Sequence, residues 1–263
     1  MQDEMPLQQG FLDHFDFLYS DRMGAEVTSP YTGYRILDVV SQPVPPAVFN
    51  KSLSLLPQPI APVLWVASNC NSYNAREVYI RELMNYIPVD SYGKCLNNKE
   101  FPQNLSKIEL MRQGYRFYLA FENSNCKDCI CEKTYQVLYA GIVPVVYGPR
   151  DYSGFLPHRD AAIYMDGFGS PKELAEYLLK LTHDDKLYMK HLQFKVDKKV
   201  DVDFIKRFRR NETLGKYYWC GACRLIAETQ MSQFQRKPER LKGDTSCRPK
   251  YSIKGFLNRS DDV

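Results

Sequence analysis

The chain has 263 residues, of which 44% are hydrophobic and 25% are charged, a composition that supports a folded core in one or two domains. Its formal net charge of +4 is too small to indicate nucleic-acid binding, although it suits an anionic small-molecule ligand. No apolar run reaches the roughly 18 residues that a membrane-spanning helix needs. Residues 1–10 lack the basic and apolar regions of a signal peptide.

The first part of the chain, residues 1–61, is predicted to be mostly irregular. Two short stretches, Phe15–Ser20 and Arg35–Val40, are candidate strands. Six prolines lie between Pro43 and Pro62, and this density favours an extended connector over a domain interior. Residues 1–61 are therefore interpreted as the end of an N-terminal domain followed by a proline-rich linker.

From Val63 onward, strand and helix patterns alternate, which predicts an α/β fold with a parallel sheet covered by helices. The segment Tyr115–Tyr147 shows an apolar strand, a polar loop, a helix and a second buried strand. The predicted strands are Val63–Ser68, Val89–Gly93, Tyr115–Phe121, Val143–Tyr147 and Ala161–Asp166. The predicted helices are Asn71–Tyr86, Ser106–Arg112, one that opens at Glu132, one that begins after Ser170, and Asp184–Phe194.

Polar side chains are predicted to gather where strands end and helices begin. An α/β sheet binds phosphate-bearing ligands at that place. Arg76, near the start of a helix, could clamp a diphosphate through paired hydrogen bonds. The alternative is a surface arginine that pairs with Glu77 or Glu82.

Two further polar pairs flank the loop of the central segment. Glu132 could accept the hydroxyl groups of a ribose and Lys133 could neutralise a phosphate, although such a pair is also common on an exposed helix surface. Glu122 and Asn123 end a buried strand, where abrupt polarity indicates either ligand contact or a network that fixes the loop. The residues alone leave these alternatives open.

Several motifs together resemble a known enzyme family. Residues 121–133 have the sequence FENSNCKDCICEK, and residues 141–148 have GIVPVVYG. With WVASNC, YIPVDSYGKC and the stretch from FLP to AEYLLKL, they resemble the donor-binding region of the α1,3/4-fucosyltransferases of glycosyltransferase family 10. The match covers roughly Pro62–Phe194, with a looser match at Trp219–Cys223. It is nearest to a divergent animal branch, for which polypeptide-linked acceptors have to be considered.

The resemblance implies a GT-B fold, in which two Rossmann-like domains face a cleft and the C-terminal one binds GDP-fucose. It implies that Arg76 and Lys133 hold the diphosphate of the donor. Glu132 would bind hydroxyl groups of the ribose or of the fucose. Glu122 and Asn123 would shape the donor pocket.

The resemblance also implies a domain organisation. Residues 1–61 would be a remnant of the N-terminal acceptor domain with the proline-rich linker, residues 62–231 the GDP-fucose-binding donor domain, and residues 232–263 a C-terminal tail. Family members carry an entire acceptor domain, with a carboxylate as general base. Glu4 is the candidate for that catalytic base, and its alternative is a frayed terminal acid.

The chain departs from the family motif at the junction of loop and helix. Members usually have Tyr-x-Thr-Glu-Lys there, whereas residues 129–133 are Cys-Ile-Cys-Glu-Lys. A thiol supplies less packing area than a tyrosine ring and caps a helix poorly. We therefore expect weaker donor binding than is usual in the family, with Asp128 capping the helix instead.

The eight cysteines allow two interpretations. Zinc binding is disfavoured, because the clusters around Cys126 and Cys220 lie about ninety residues apart and no histidine has ligand spacing near either. The resemblance instead implies disulfides within Cys220–Cys223 and between Cys70 and Cys95. The cysteines without an assignment are Cys126, Cys129, Cys131 and Cys247.

The function implied by the resemblance is an inverting transfer of fucose from GDP-fucose to a hydroxyl of a GlcNAc-type glycan on a glycoprotein or glycolipid, by an α1,3-fucosyltransferase. No cofactor is expected to be required, and a divalent metal ion would at most stimulate the reaction. The alternatives are a non-catalytic or truncated member that binds a nucleotide sugar, and a protein O-fucosyltransferase. No nucleic-acid partner is expected.

The cysteine content and four N-glycosylation sequons favour a secretory compartment. The expected location is the lumen of the Golgi or ER, as part of a type II membrane protein. Its membrane anchor would lie upstream of this chain. The sequons are at Asn50, Asn104, Asn211 and Asn258.

Overall fold

The computed structural model describes residues 19–20, 27–28 and 36–206. It shows a five-stranded sheet whose neighbouring strands are all parallel, so the predicted α/β class is confirmed. The strands are β1 (Tyr19–Ser20), β2 (Val27–Thr28), β3 (Val63–Ala67), β4 (Val89–Gly93), β5 (Phe117–Phe121), β6 (Val143–Tyr147) and β7 (Ile163–Tyr164). The short strands β1 and β2 pair with each other, and the large sheet has the order β4-β3-β5-β6-β7.

Helices cover both faces of the sheet. They are α1 (Ile36–Ser41), α2 (Arg76–Leu83), α3 (Lys107–Met111), α4 (Glu132–Ala140), α5 (Pro171–His183), α6 (Asp185–Lys190) and α7 (Gln193–Asp197), and residues 202–206 are also helical. The chain steps from β3 to β4 in one direction and from β5 to β6 in the other, so right-handed crossovers place α2 and α4 on opposite faces. Helix α5 packs beside α2, whereas α1 and α3 pack beside α4. Among the described helices, none has the length and apolar character to cross a bilayer.

The hydrophobic core is centred on β5 and β6, whose residues are all buried. Strands covered on both faces have continuous apolar sequences, as these two do. Val39, Val40 and Val48, which precede the sheet, belong to the same core. Lys195 ties this segment down further, because its ammonium group donates hydrogen bonds to the carbonyl oxygens of Val39 and Gln42. Residues 36–61 therefore include parts that pack onto the α/β domain.

The segment before the sheet differs from its prediction. Arg35–Val40 was expected as a strand, but Ile36–Ser41 forms helix α1. The adjacent Val39 and Val40 are both buried, which a helix permits and the alternation of a strand opposes. The proline-rich segment was expected to be extended, but it contains two 3-10 turns with a buried valine, Val48, in the first.

Three other predicted elements are too long. The helix expected over Asn71–Tyr86 begins only at Arg76, because Ala75 has a left-handed φ of 54°. Only two residues of Ala161–Asp166 pair as strand β7, because 3-10 turns flank them on both sides. The helix expected over Asp184–Phe194 is divided into α6 and α7, because the backbone leaves the helical conformation between them.

Gly141 ends helix α4 at a position that has no room for a side chain. Its φ of 85° lies in the left-handed region, and a Cβ there would be 2.5 Å from the carbonyl oxygen of Pro43. We expect Gly141→Ala to lower the free energy of unfolding by roughly 1–3 kcal/mol in urea denaturation. Gly167→Ala is the control, because a Cβ there would have no heavy atom within 4 Å. Equal losses in both variants would contradict this packing.

Candidate functional site

A crevice opens between β3 and β5. The order of the sheet changes direction here, because the chain moves outward to β4 on one side and to β6 and β7 on the other. β3 and β5 pair at two positions, Val63 with Phe117 and Leu64 with Tyr118, whereas β5 and β6 pair at five. The strands therefore diverge towards their carboxyl ends. Ligands of doubly wound sheets bind at such a switch point.

Arg76 spans this crevice with a side chain that is only 2% exposed. Its Nη1 donates to the carbonyl oxygen of Phe121 at the end of β5 (2.6 Å), and its Nη2 to that of Asn69 after β3 (3.3 Å). Its Nε lies 3.6 Å from Oε1 of Glu77. Burial lowers the pKa of Arg76, against the opposing charges of Glu77 and Glu122. The alternative of a surface arginine is therefore wrong, although the ion pair with Glu77 is present.

The loop between β3 and α2 is held by a buried polar network. Asn74 Nδ2 donates to the carbonyl oxygen of Glu122 (2.9 Å) and to Oδ1 of Asn125 (2.8 Å). The backbone N–H of Asn74 donates to the carbonyl oxygen of Asn123 at 3.2 Å. The backbone carbonyl groups of Glu122 and Asn123 thus take part in a network that fixes the loop, which is one of the two interpretations offered for this pair. The side chain of Asn123 itself belongs to an exposed residue.

The side chain of Glu122 is buried at the end of β5, in a residue that is 1% exposed. Its Oε1 accepts from the N–H of Cys131 at 2.9 Å, and its Oε2 lies 3.7 Å from Nζ of Lys133. Burial raises the pKa of Glu122, although Lys133 opposes that shift. On its other side, a Cβ at Gly148 would come within 2.9 Å of both Glu122 Cγ and the hydroxyl oxygen of Tyr152. This carboxylate therefore joins β5, α4 and the loop after β6.

Helix α4 begins beside the buried carboxylate. Its N-cap residue is Cys131, whose side chain makes no capping hydrogen bond, and Asp128, the expected capping residue, lies three positions before it. Lys133 Nζ lies 3.7 Å from Glu122 Oε2 and 3.7 Å from Glu132 Oε1. Burial lowers the pKa of Lys133, but the neighbouring carboxylates outweigh it and the pKa is raised. The side chains of Lys133 and Glu132 are 17% and 37% exposed, so a ligand can reach both.

A second lysine in this region was missed by the reasoning from sequence. Lys107 opens helix α3, whose N-cap Ser106 forms a capping box with Glu109. Its Nζ lies 5.3 Å from the centre of the ring of Tyr118, a buried residue of β5. Burial, followed by the charge of Lys133, lowers the pKa of Lys107 to about 8. Since the packing of α3 beside α4 brings the two lysines near each other, no local motif reveals their proximity.

Several buried polar atoms at this edge of the sheet make no hydrogen bond to a described residue. Buried groups in folded proteins are hydrogen-bonded in the great majority of cases. Within residues 36–206, buried side-chain atoms that accept or donate no hydrogen bond include Arg76 Nε, Glu122 Oε2, Asn125 Nδ2 and Thr134 Oγ1. Their position at the carboxyl ends of the strands indicates a site for a polar ligand.

The cysteines contribute one cross-link close to this site. Cys70 and Cys95 form a disulfide between the loops that follow β3 and β4, which is the pairing that the resemblance implied. Cys126 is also disulfide-bonded, whereas Cys129 and Cys131 keep their thiols. Burial raises the pKa of the Cys131 thiol. In the part of the chain that the structure describes, no group of three His, Cys, Asp or Glu residues is placed to hold a metal ion.

The remaining predicted residues are divided between the described and the undescribed parts of the chain. Asn50 and Asn104 are exposed, as a glycosylation site requires. The other predicted site residues, which include the candidate base, lie outside the described residues. These are Glu4, Asn211, Cys220, Cys223, Cys247 and Asn258. The predicted domain boundary between residues 231 and 232 lies outside them as well.

The family profile "Glycosyltransferase family 10 (fucosyltransferase) C-term" matches residues 57–240, more than two thirds of the chain. The chain belongs to this family of fucosyltransferases. The matched region of this family 10 member contains Arg76, Glu122, Lys133 and the other side chains of the crevice. The resemblance drawn from the motifs is thereby confirmed.

Individual fucosyltransferases are similar to parts of this chain. Human GDP-fucose protein O-fucosyltransferase 3 is 41% identical over 154 residues, which are 56% of this chain and 32% of the relative. Glycoprotein 3-alpha-L-fucosyltransferase A of Drosophila melanogaster is 43% identical over 165 residues, 61% of this chain and 30% of the relative. A crystal structure of an alpha1,3-fucosyltransferase with GDP-fucose is 22% identical with a TM-score of 0.45, covering 56% of this chain and 41% of that one. The chain spans less than half the length of these curated relatives.

Arg76 is expected to be essential for the stability of the crevice. Arg76→Met removes the hydrogen bonds to the carbonyl groups of Phe121 and Asn69 and leaves Glu77 without its cation. We expect the free energy of unfolding to fall by roughly 2–4 kcal/mol, measured by urea denaturation. The control is Arg81→Met on the exposed side of the same helix, for which the expected change is within about 0.5 kcal/mol. A loss in Arg76→Met no larger than in the control would show that the bridge contributes nothing.

Proposed function

We propose that this chain carries the GDP-fucose-binding site of an inverting fucosyltransferase that forms an α1,3 linkage to a GlcNAc-type glycan. The observation that supports the proposal is the group of Arg76, Lys107 and Lys133 around the buried Glu122 carboxylate, at the switch point of the sheet. Membership of family 10 supplies the class of substrate.

The cations suit a diphosphate leaving group. Lys107 and Lys133 lie at the starts of α3 and α4, and the N-terminus of α4 adds a partial positive charge of its own. Two nitrogens of Arg76 already donate to backbone carbonyl groups, so we propose that this buried residue acts on the diphosphate through its positive charge. As the bond between the anomeric carbon and the diphosphate breaks, negative charge develops on the departing oxygen. Cations already in place stabilise that charge without reorganisation.

Glu132 and Asn123 are the side chains with free access to hydroxyl groups of the donor. Glu132 is partly exposed, and an ionised carboxylate can accept from two hydroxyls at once. Asn123 is exposed at the end of β5. Glu122 is buried, so we assign it the different task of positioning Lys133 and the start of α4.

In the proposed reaction, a carboxylate base takes the proton from the acceptor hydroxyl, which attacks the anomeric carbon opposite the diphosphate. The new C–O bond forms as the old one breaks, and GDP leaves with the electron pair; the transition state is oxocarbenium-like. Glu4 is the proposed base. We propose that no cofactor is required, because protein cations provide the charge that a metal would supply, and that a divalent ion at most stimulates.

Two further functions are supported by specific observations. The relatives named GDP-fucose protein O-fucosyltransferase 3 favour a protein hydroxyl as acceptor, whereas the Drosophila relative favours a glycan. A non-catalytic member that binds the nucleotide sugar is favoured by the thiols of Cys129 and Cys131, which replace the tyrosine and threonine of the family motif. Both alternatives keep the same donor site.

We propose the lumen of the Golgi or ER as the location, as part of a type II membrane protein. The disulfide between Cys70 and Cys95 favours an oxidising compartment. The exposed sequons at Asn50 and Asn104 are accessible to glycosylation.

Donor binding is the direct test. By titration calorimetry, we expect the chain to bind GDP and GDP-fucose and to bind UDP-galactose much more weakly. Lys133→Met removes the amine beside Glu122 and Glu132 and should weaken GDP binding at least tenfold, equivalent to about 1.4 kcal/mol. Lys172→Met, at an exposed position of α5, is the control.

The outcomes of this test separate the candidate functions. A folded chain that binds neither GDP nor GDP-fucose contradicts the proposal. Binding without transfer, in a fusion that supplies the acceptor domain of an active family 10 enzyme, selects the non-catalytic alternative. Transfer to an unglycosylated protein domain and not to a GlcNAc-terminated glycan selects the protein O-fucosyltransferase.

The affinity for GDP-fucose should depend on pH through Lys107. Burial and the charge of Lys133 lower the pKa of Lys107 to about 8, although Glu132 and Glu122 oppose the shift. Lys107 is therefore mostly protonated below pH 8 and mostly neutral above it. Binding of the diphosphate favours the charged form, so we expect the affinity to fall several-fold between pH 7 and pH 9. Lys107→Arg should remove this dependence, and Lys107→Met should bind weakly throughout. The same slope in all three proteins would exclude Lys107 as its source.

A further inference from the structure

A second cavity lies on the same edge of the sheet, beyond the crevice. It has a volume of about 490 Å³ and is formed by the loop after β6, strand β7 and the start of the helical residues 202–206. Ligand pockets in proteins have volumes of about 300–1,000 Å³, so a sugar unit or a disaccharide fits this space. None of the donor-binding side chains described above lines it.

The charges of this cavity match a neutral, polyhydroxylated ligand. Two arginines and three aspartates line it, so positive and negative groups nearly cancel and the cavity selects neither an anion nor a cation. Arg150 and Asp201 are exposed, and neither side chain makes an ion pair or hydrogen bond with another described residue. A guanidinium group donates and a carboxylate accepts, so the two can bind different hydroxyl groups of one ring. A third charged group, Asp151, accepts from the N–H of Ser153. The hydrogen bonds from Ser153, that of its side chain first and that of its backbone second, lower the pKa of Asp151.

Two tyrosines give the cavity an apolar surface. The rings of Tyr152 and Tyr164 pack edge to face, with centroids 5.5 Å apart. The hydroxyl of Tyr164 donates to the carbonyl oxygen of Arg159 at 2.8 Å, which fixes the ring. Aromatic side chains with a polar tip suit ligands that combine hydroxyl groups with apolar C–H faces, as sugar rings do.

The cavity adjoins the donor site across a single glycine. The Cβ position of Gly148 is 2.9 Å from the hydroxyl oxygen of Tyr152, which lines the cavity, and 2.9 Å from Cγ of Glu122, which positions Lys133. A ligand in the cavity would therefore lie next to the residues proposed to bind the donor, which is the place that a transfer reaction requires of its acceptor.

We propose that the cavity lined by Arg150, Tyr152, Tyr164 and Asp201 binds a sugar ring of the acceptor glycan. This assignment rests on the proposed transfer of fucose to a glycan. Arg150 and Asp201 hold the hydroxyl groups of the ring, and the partly exposed Tyr164, whose ring packs on the buried Tyr152, contacts its apolar face. The site thus selects glycan acceptors from within the donor domain.

The test uses N-acetyllactosamine as the probe and the full chain saturated with GDP. By titration calorimetry or ligand-observed NMR, we expect the wild-type chain to bind the probe. The double variant Arg150→Gln, Asp201→Asn should bind it at least tenfold more weakly, with the affinity for GDP unchanged within about twofold. Arg81→Gln, which removes an exposed charge on α2, is the control and should leave both affinities unchanged. Thermal melts establish that all variants are folded, and both changed residues are exposed.

Each outcome of the experiment decides the assignment. A wild-type chain that binds GDP but not N-acetyllactosamine overturns it, as does a double variant that binds the probe as tightly as the wild type or loses GDP to the same extent. Binding of an unglycosylated protein domain through Arg150 and Asp201, without binding of the probe, also overturns it. A chain that binds the probe through these residues but does not bind GDP supports the sugar site and contradicts the proposed donor.

Discussion

The structure around the crevice depends on one buried carboxylate. Glu122 places an ionisable carboxyl group at the end of a strand that is covered on both faces. Burial of such a group is tolerated only when hydrogen bonds and an opposite charge replace water. The N–H of Cys131 and the ammonium group of Lys133 meet that need, so the start of α4 is fixed against the end of β5. The N-cap residue offers no side-chain hydrogen bond, and the carboxylate at the end of the strand instead accepts from the backbone N–H of that residue.

On the other side of the crevice, side chains likewise satisfy backbone groups that the sheet leaves unpaired. Parallel strands that diverge leave carbonyl groups without partners in the sheet, and Arg76 satisfies two of them while Asn74 satisfies a third. The loop that follows β3 is therefore held by the requirements of the backbone, before any ligand binds. The same side chains contribute to stability and to binding, because the groups that bridge the diverging strands also determine the charge at the opening of the crevice. The cationic site therefore combines the buried Arg76 with the partly exposed Lys107 and Lys133, and charges in such a place are screened less than those of an open surface patch.

The fold class and the edge that carries the site could be predicted from the sequence, because continuous apolar strands and the polar residues after them are local signals. Glu122, Glu132 and Lys133 were found in this way. Their environments were not, because burial of Arg76 and the approach of Lys107 to Lys133 depend on how α3, α4 and the strands pack. Arg35–Val40 was misassigned for a related reason: its residues suit a strand locally, but the core receives Val39 and Val40 from a helix. No composition rule indicates the cavity beyond β6, which is assembled from segments far apart in the chain.

The partition at Gly148 is a backbone without a side chain. A Cβ at this position would lie 2.9 Å from Glu122 Cγ and 2.9 Å from the hydroxyl oxygen of Tyr152, so any side chain here would collide with both groups. Glycine is the residue that lets the buried carboxylate and the tyrosine of the cavity approach the same piece of backbone. A substitution at this one position would therefore disturb both parts of the edge together.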